Sequence, residues 1–297
     1  VSREVIPNTQ NAYNQLSRVL VRARMQKVFP WDFIEDRVRY VFNDFCDERL
    51  SEEDVRLVEE WCGDALNELS VESLLAASFD RYIPPASFGR WAEQPVVPEV
   101  WVEKDALAPT LRSWLADLEV NVRVCRGYSS WTFIYENFKE LAAVLERHEK
   151  VVILYCGDLD PSGVDIQRFL HDALSYFGVT QRVEMFRLAV TPPQVERFGL
   201  PPHPRDAETL AKLRRDPRSK NYRFGYVVEL DALVAYAPEE FRALLRNAVE
   251  SCHDGEVHAR VRREVEKLRA KCIEIVERYK QLARRKLVEE LQGGGET

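Results

Sequence analysis

The chain has 297 residues, 45% of them hydrophobic, and a formal net charge of −7; that is enough for one large or two modest domains with ample core, and the acidic balance argues against a generally adhesive nucleic-acid binder. No apolar stretch approaches the roughly 20 residues that span a bilayer, and no signal peptide is visible. The six cysteines show no C-x-x-C or Cys/His spacing, the five histidines form no ligand cluster and no G-x-x-x-x-G-K-S/T loop is present; this excludes a zinc module and a P-loop NTPase at motif level and predicts free thiols in a reducing cytoplasm.

Residues 1–92 read as helical. One helix is expected near Asn11–Val28, carrying Arg18, Arg22, Arg24 and Lys27 in a stretch (residues 1–40) with seven bases against four acids. Residues 43–80 hold twelve acids against two bases, and a helix from about Ser51, with Asp54 in its first turn, carries Val55, Val58, Trp61, Leu66 and Leu69. The prolines from Pro84 to Pro98 mark a linker. A sheet region follows. The apolar run Val96–Val102 reads as a strand ending at Glu103-Lys104-Asp105, then a helix burying Leu107, Leu111, Trp114, Leu115 and Leu118. Val120–Cys125 is a second strand, and Trp131–Arg147 a helix. Val151–Tyr155, with no charge, is a strand buried on both faces, leading into Cys156-Gly157-Asp158-Leu159-Asp160-Pro161-Ser162-Gly163 and a helix through Phe169, Leu170, Leu174 and Phe177. Further strands are expected around Val183–Val190 and Tyr226–Leu230, separated by a mobile loop over 191–204 and a basic stretch (205–226) with seven bases against three acids, including Arg215, Arg218 and Lys220. The alternation β-α-β-α-β-α-β predicts an α/β fold around a parallel sheet with right-handed crossovers. From Pro238 the chain reads as helical again. Val261, Val265, Leu268, Cys272, Ile275, Tyr279 and Leu282 form a heptad seam that can pair with a second subunit or dock on the chain's own sheet domain, before a tail, 293–297, expected to be disordered. The domain reading is 1–92, 93–236 and 237–297.

Two aspartates thus sit where a central strand ends and a helix begins, the edge at which open α/β sheets bind ligands. Side chains two apart on an extended backbone point the same way, so Asp158 and Asp160 can both offer oxygen to one hard cation. Asp160 before Pro161 is also a good helix N-cap; Asp158 has no such role, and a carboxylate at the mouth of a buried strand is costly unless something positive meets it. Metal or phosphate chemistry and plain turn chemistry both remain open on spacing alone. Glu103 ends its strand as Asp158 does. If the two strands are neighbours, Glu103, Asp158 and Asp160 converge.

These motifs resemble the Toprim domain of topoisomerases, bacterial primases and certain nucleases. VWVEKDAL at 100–107, GDLDPSGVDI at 157–166 and VELDAL at 228–233 look most like the topoisomerase VI A-subunit group, which includes the meiotic double-strand-break transesterase and small stand-alone bacterial and phage relatives. The resemblance covers residues 95–235, and extends more weakly to 8–37. Haloacid-dehalogenase phosphatases also carry Asp-x-Asp after a strand, usually near the amino terminus and followed by Thr or Val; here Pro161 and Ser162 follow, mid-chain. Glycosyltransferases use Asp-x-Asp as well, but no sugar-nucleotide features accompany it.

The resemblance implies that Asp158 and Asp160 hold Mg²⁺, and that Glu103 ligates the same ion or acts as general acid/base at the sugar 3′ oxygen. It implies phosphate contacts from Lys104 and Arg126 on the same rim, and anion-binding donors at Ser162-Gly163. Glu229 and Asp231 become a candidate accessory metal pair, with an edge strand entering a helix as the bland alternative. DNA is the expected partner, tracked by Arg18 and Arg22 or by Arg215, Arg218 and Lys220, with a solvated helix face or loop as the alternative for either run; a second copy and a separate ATPase subunit are further candidates. In the resembled group a tyrosine on a helix-turn-helix-like domain attacks the phosphodiester. Tyr13, Tyr40 and Tyr82 lack its context, so it is expected upstream of Val1, and the first region is expected to be winged-helix-like. Mg²⁺-dependent DNA strand cleavage is the leading expectation, with a water-using nuclease and a non-catalytic DNA-binding or assembly subunit as the rivals.

Overall fold

A computed structural model of the chain describes residues 9–28, 30–31, 41–42, 44–68, 79–125, 131–202, 211 and 222–293. By contacts it divides into two units: one takes residues 1–43, 96–116 and 120–252, the other 44–95, 117–119 and 253–297.

The first unit is built on a sheet. Its strands are β1 (Val41–Phe42), β2 (Val96–Val102), β3 (Val122–Val124), β4 (Lys150–Cys156) and β5 (Val183–Ala189), in the order β1-β3-β2-β4-β5. Four are parallel and β1 is antiparallel to β3. The segment read as wholly helical, 1–92, therefore supplies a short strand as well as α1 (Gln10–Met25) and α2 (Glu52–Glu68). β2 lies beside β4 along its whole length, Val96 opposite Lys150 and Val102 opposite Cys156. Val151, Ile153, Leu154, Tyr155 and Cys156 are all buried, as expected of a strand covered on both faces; each large apolar side chain so covered contributes about 1.5–3 kcal/mol.

Odd-numbered strand residues share one face, even-numbered ones the other. Over the odd face lie α4 (Trp131–Leu145) and α5 (Pro161–Tyr176): Phe133 meets Trp101 edge-on at 6.2 Å. On that face Glu99 and Arg123, 3% and 1% exposed, form a buried pair. Arg123 Nε and Nη2 each lie 2.7 Å from one Glu99 oxygen, Trp101 Nε1 donates to Glu99 at 2.9 Å, and Arg123 Nη1 reaches Asn137 at 2.7 Å. On the other side α3 (Ala108–Leu115) buries Leu111 and Leu115, and α8 (Pro238–Glu250) packs on it through Phe241 against Trp114.

Two expectations fail in this unit. Within the stretch read as a loop, 191–204, of which 203 and 204 lie outside the described residues, Pro192–Phe198 form helix α6, with Thr191 and Gln194 in a reciprocal capping box and Gly199 in the left-handed region closing it. Pro192 stands at its first position, where proline favours a helix rather than breaking it. Tyr226–Leu230 does not become a strand of the sheet. Val228 makes an isolated antiparallel bridge with Leu159, and α7 (Leu230–Tyr236) starts two residues later, so the segment crosses the Asp158–Asp160 turn.

The second unit joins α2 to the long helix α9 (Gly255–Gly293). Val58 and Cys62 pack with Val261, Val265, Cys272 and Val276; Lys271–Glu52 and Arg278–Glu59 pair the acidic helix with the basic one, and Arg49, just before α2, pairs with Glu264 of α9. The seam expected to meet a second subunit or the sheet domain is therefore covered by α2. Its later positions also shift. Val276 and Ala283 are buried, whereas Leu282 is exposed, because a straight helix of 3.6 residues per turn drifts by about 20° per heptad from a strict seven-residue repeat. The tail residues 294–297 lie outside the described residues.

Candidate functional site

The level ends of β2 and β4 place Glu103 beside the Asp158 turn: Glu103 N donates to Cys156 O at 2.9 Å, and Asp158 N donates to Glu103 Oε2 at 2.9 Å. Two glycines make room for this approach. A Cβ at Gly157 would come 2.8 Å from Glu103 Oε2, and one at Gly163 would come 3.0 Å from the same oxygen and collide with Asp158 O. Asp160 begins α5 with extended backbone, its Oδ1 accepting from Gly163 N at 2.5 Å and Pro161 standing at the first helical position. Asp158 Oδ1 accepts from Leu230 N at 2.7 Å, which ties in the segment crossing the turn. Tyr222 OH bonds Leu159 O at 2.8 Å and Tyr226 O at 2.5 Å, fastening that segment a second time.

Burial pushes the Glu103 carboxyl up to about 7, with the charges of Asp158 and then Asp160 adding to it against the bond from Asp158 N. Burial also raises Asp158, opposed by the Leu230 amide and Lys104. Tyr155, whose hydroxyl lies 3.5 Å from Glu103 Oε2 and 3.2 Å from Gly163 O, is driven well above the phenol range by burial first and by Cys125 and Glu103 next, so it stays protonated and donates. Acid groups are crowded here with their charge incompletely balanced.

The three carboxylates predicted to converge are thus brought to one turn. Glu103 Oε1, Asp158 Oδ2 and Asp160 Oδ2 have no hydrogen-bond partner among the described residues, although no three His, Cys, Asp or Glu side chains there already stand in a ligating arrangement. An all-oxygen donor set of this kind suits a hard cation. Mg²⁺ needs only one or two carboxylates alongside water and substrate phosphate, so a closed cage is not required, and these oxygens are of the donor type that ion takes.

Other predicted residues stand elsewhere or carry other partners. Lys104, expected on phosphate, is held by its own chain: its ammonium pairs with Asp231, lies 3.1 Å from Glu229 and 3.5 Å from Asp158. Burial opposes that charge, but the bonds to Asp231 and Glu229 outweigh it and raise the pKa. Glu229 and Asp231, read as an accessory metal pair, serve here as the anions of this lysine. The Gly163 amide, read as an anion donor, is spent on Asp160. Arg18 and Arg22 are exposed on α1, but Arg24 is 2% exposed, donating to Thr132 Oγ1 at 2.6 Å and lying over the Trp31 ring; it secures α1 and is not available to a phosphate track. Arg126, Arg215, Arg218, Lys220 and Tyr40 lie outside the described residues, as does the side chain of Tyr13.

Arg187 escaped the sequence reading. It stands on β5 opposite Tyr155, with Nη1 3.0 Å from Gly157 O and 3.1 Å from Asp158 O. A charged residue near the carboxyl end of a strand beside the Asp-x-Asp strand was the available signal. No protein-family model matches the chain, and no curated protein matches it.

Proposed function

We propose that the chain is a Toprim-type protein resembling the topoisomerase VI A-subunit group and performs Mg²⁺-dependent cleavage of DNA strands. The observation that carries this reading is the meeting of Glu103, Asp158 and Asp160 at the carboxyl ends of neighbouring parallel strands, each with an oxygen to spare. In this reading Asp158 and Asp160 hold the ion, and Glu103, buried beside them, ligates it or takes up and returns a proton at the 3′ oxygen. A Mg²⁺ ion held by these residues would offset charge building on the scissile phosphate. Lys104 keeps Asp231 and Glu229 drawn toward the rim, and the exposed Arg18 and Arg22 are the described cations offered to the DNA backbone. The winged-helix-like character of the first region and the roles of a second copy or an ATPase subunit belong to the same proposal.

Neither Tyr155 nor Tyr222 serves as nucleophile: burial raises both phenols, and each hydroxyl lies within hydrogen-bonding distance of backbone carbonyls. Supercoiled plasmid incubated with Mg²⁺ tests the reading. The wild type should nick or linearise it, while Asp158→Ala and Glu103→Ala should lose at least a hundredfold in rate. Protein-linked 5′ ends from a chain extended upstream of Val1 would indicate transesterification, free ends hydrolysis. Salt-sensitive DNA binding with no cleavage under any divalent metal would refute the enzymatic reading in favour of a binding subunit.

A further inference from the structure

Glu103 and the Asp158 turn meet through one peptide unit, the Gly157–Asp158 bond. Its N–H points to Glu103 Oε2 at 2.9 Å. Its C=O, on the opposite side of the same plane, accepts from Val190 N at 2.8 Å and from Arg187 Nη1 at 3.0 Å. A peptide is rigid about its C–N bond, so any rotation that breaks one of these contacts breaks the other. Arg187 also reaches the next carbonyl, Asp158 O, at 3.1 Å, and Val190 O at 3.2 Å just beyond the end of β5. One nitrogen therefore gathers three carbonyls from two chain segments. The guanidinium is held in turn: Nε donates to Gln167 Oε1 at 3.0 Å from α5, and its plane lies over the Tyr155 ring, 5.1 Å from the centroid. Nη2 is buried with no partner among the described residues; the contacts of Nε and Nη1 hold the group in place despite that orphaned donor.

Resting on the metal reading above, we propose that Arg187 is the positioning residue of the site, fixing the Gly157–Asp158 peptide so that Asp158 and Glu103 present their free oxygens together. Groups that orient metal ligands from behind commonly change affinity by about 10–100-fold when removed, and a ligand set displaced by more than about 0.5 Å no longer matches its ion. Lysine keeps the charge but cannot reach Gln167 and the three carbonyls at once, since it lacks the planar fork.

The test is Mn²⁺ binding to the full chain by titration calorimetry, with the melting temperature recorded for each protein. Wild type should bind Mn²⁺, and Asp158→Asn should abolish binding. Arg187→Met should weaken it about 10–100-fold, with Arg187→Lys recovering part of the loss. If Arg187→Met and Arg187→Lys both bind as wild type does while Asp158→Asn does not, the positioning role is overturned and the metal reading stands. If wild type itself binds no Mn²⁺, both fall. Should Arg187→Met fail to fold, Arg187→Lys decides: at least threefold weaker binding supports the role, and unchanged binding overturns it.

Discussion

Replacing Arg123 with methionine would leave Glu99 as a buried carboxylate, 3% exposed, with Trp101 Nε1 at 2.9 Å and Asn121 Nδ2 at 3.4 Å as its remaining donors. The two bonds removed from Glu99, both at 2.7 Å, are charge-assisted; such bonds contribute about 1.5–3 kcal/mol each, and breaking a buried pair from one side costs about 3–5 kcal/mol. Against a typical total stability of about 5–15 kcal/mol, that is a large loss. It corresponds to a fall in melting temperature of about 6–20 °C for a unit of this size. The pH dependence gives an independent check. In the wild type burial alone would raise Glu99, but Arg123 overrides it and holds the carboxyl below its ordinary value; that stability is present above the unfolded pKa of about 4.3 and is lost as pH falls through the folded value. In Arg123→Met burial prevails, so the deficit should be greatest near pH 8 and shrink toward pH 5 as Glu99 takes a proton. Urea denaturation at both pH values measures it. The double variant Glu99→Met with Arg123→Met should recover most of the stability, because no charge is then left buried. A single-variant loss below about 1 kcal/mol, or a double variant no better than the single, would refute the reasoning.

Other perturbations separate structural cations from those proposed to face DNA. Arg18→Ala with Arg22→Ala should weaken DNA binding and flatten its salt dependence while leaving the melting temperature nearly unchanged; Arg24→Ala should lower the melting temperature, because Arg24 is buried on Thr132 and Trp31. Fluorescence anisotropy at several salt concentrations, paired with thermal melts, checks both. His253 and His258 face each other at 3.4 Å, with Arg90, Arg262, Asp254 and Glu119 around them, and burial followed by neighbouring positive charge lowers both pKa values. Their contribution is intact above about pH 6.5 and is lost as pH falls through the depressed folded values, so wild type should lose stability on acidification and His258→Gln should lose less; equal losses would contradict this. Val276→Asp buries a charge between α9 and α2 and should abolish cooperative unfolding of that unit, seen by circular dichroism, whereas Leu282→Asp, at an exposed position, should be tolerated.

The elements that carry the site were legible because their signals are local. An uncharged run ending in Gly-Asp-x-Asp-Pro announces a buried strand, a turn and a capped helix within a dozen residues, and Asp160 does cap α5. Glu103 was found in the same way, from a valine-rich run that stops at a charge. Local signals also misled. Prolines over 191–204 suggested a loop, although Thr191, Gln194 and Gly199 held a complete set of helix-start and helix-stop residues. A regular heptad suggested a seam through Leu282, but the straight helix turned Ala283 inward instead.

What the linear chain determined by itself was which residues stand at strand ends and which face of each helix is apolar, because both follow from repeats of two and 3.6 along the backbone. Whether those ends meet is a different question. Setting β2 beside β4, giving Lys104 to Asp231 and Glu229, and bringing Arg187 under the Gly157–Asp158 peptide all required the tertiary structure. Those pairings join residues 30 to 127 positions apart, and no short-range pattern encodes which distant segment will pack alongside which.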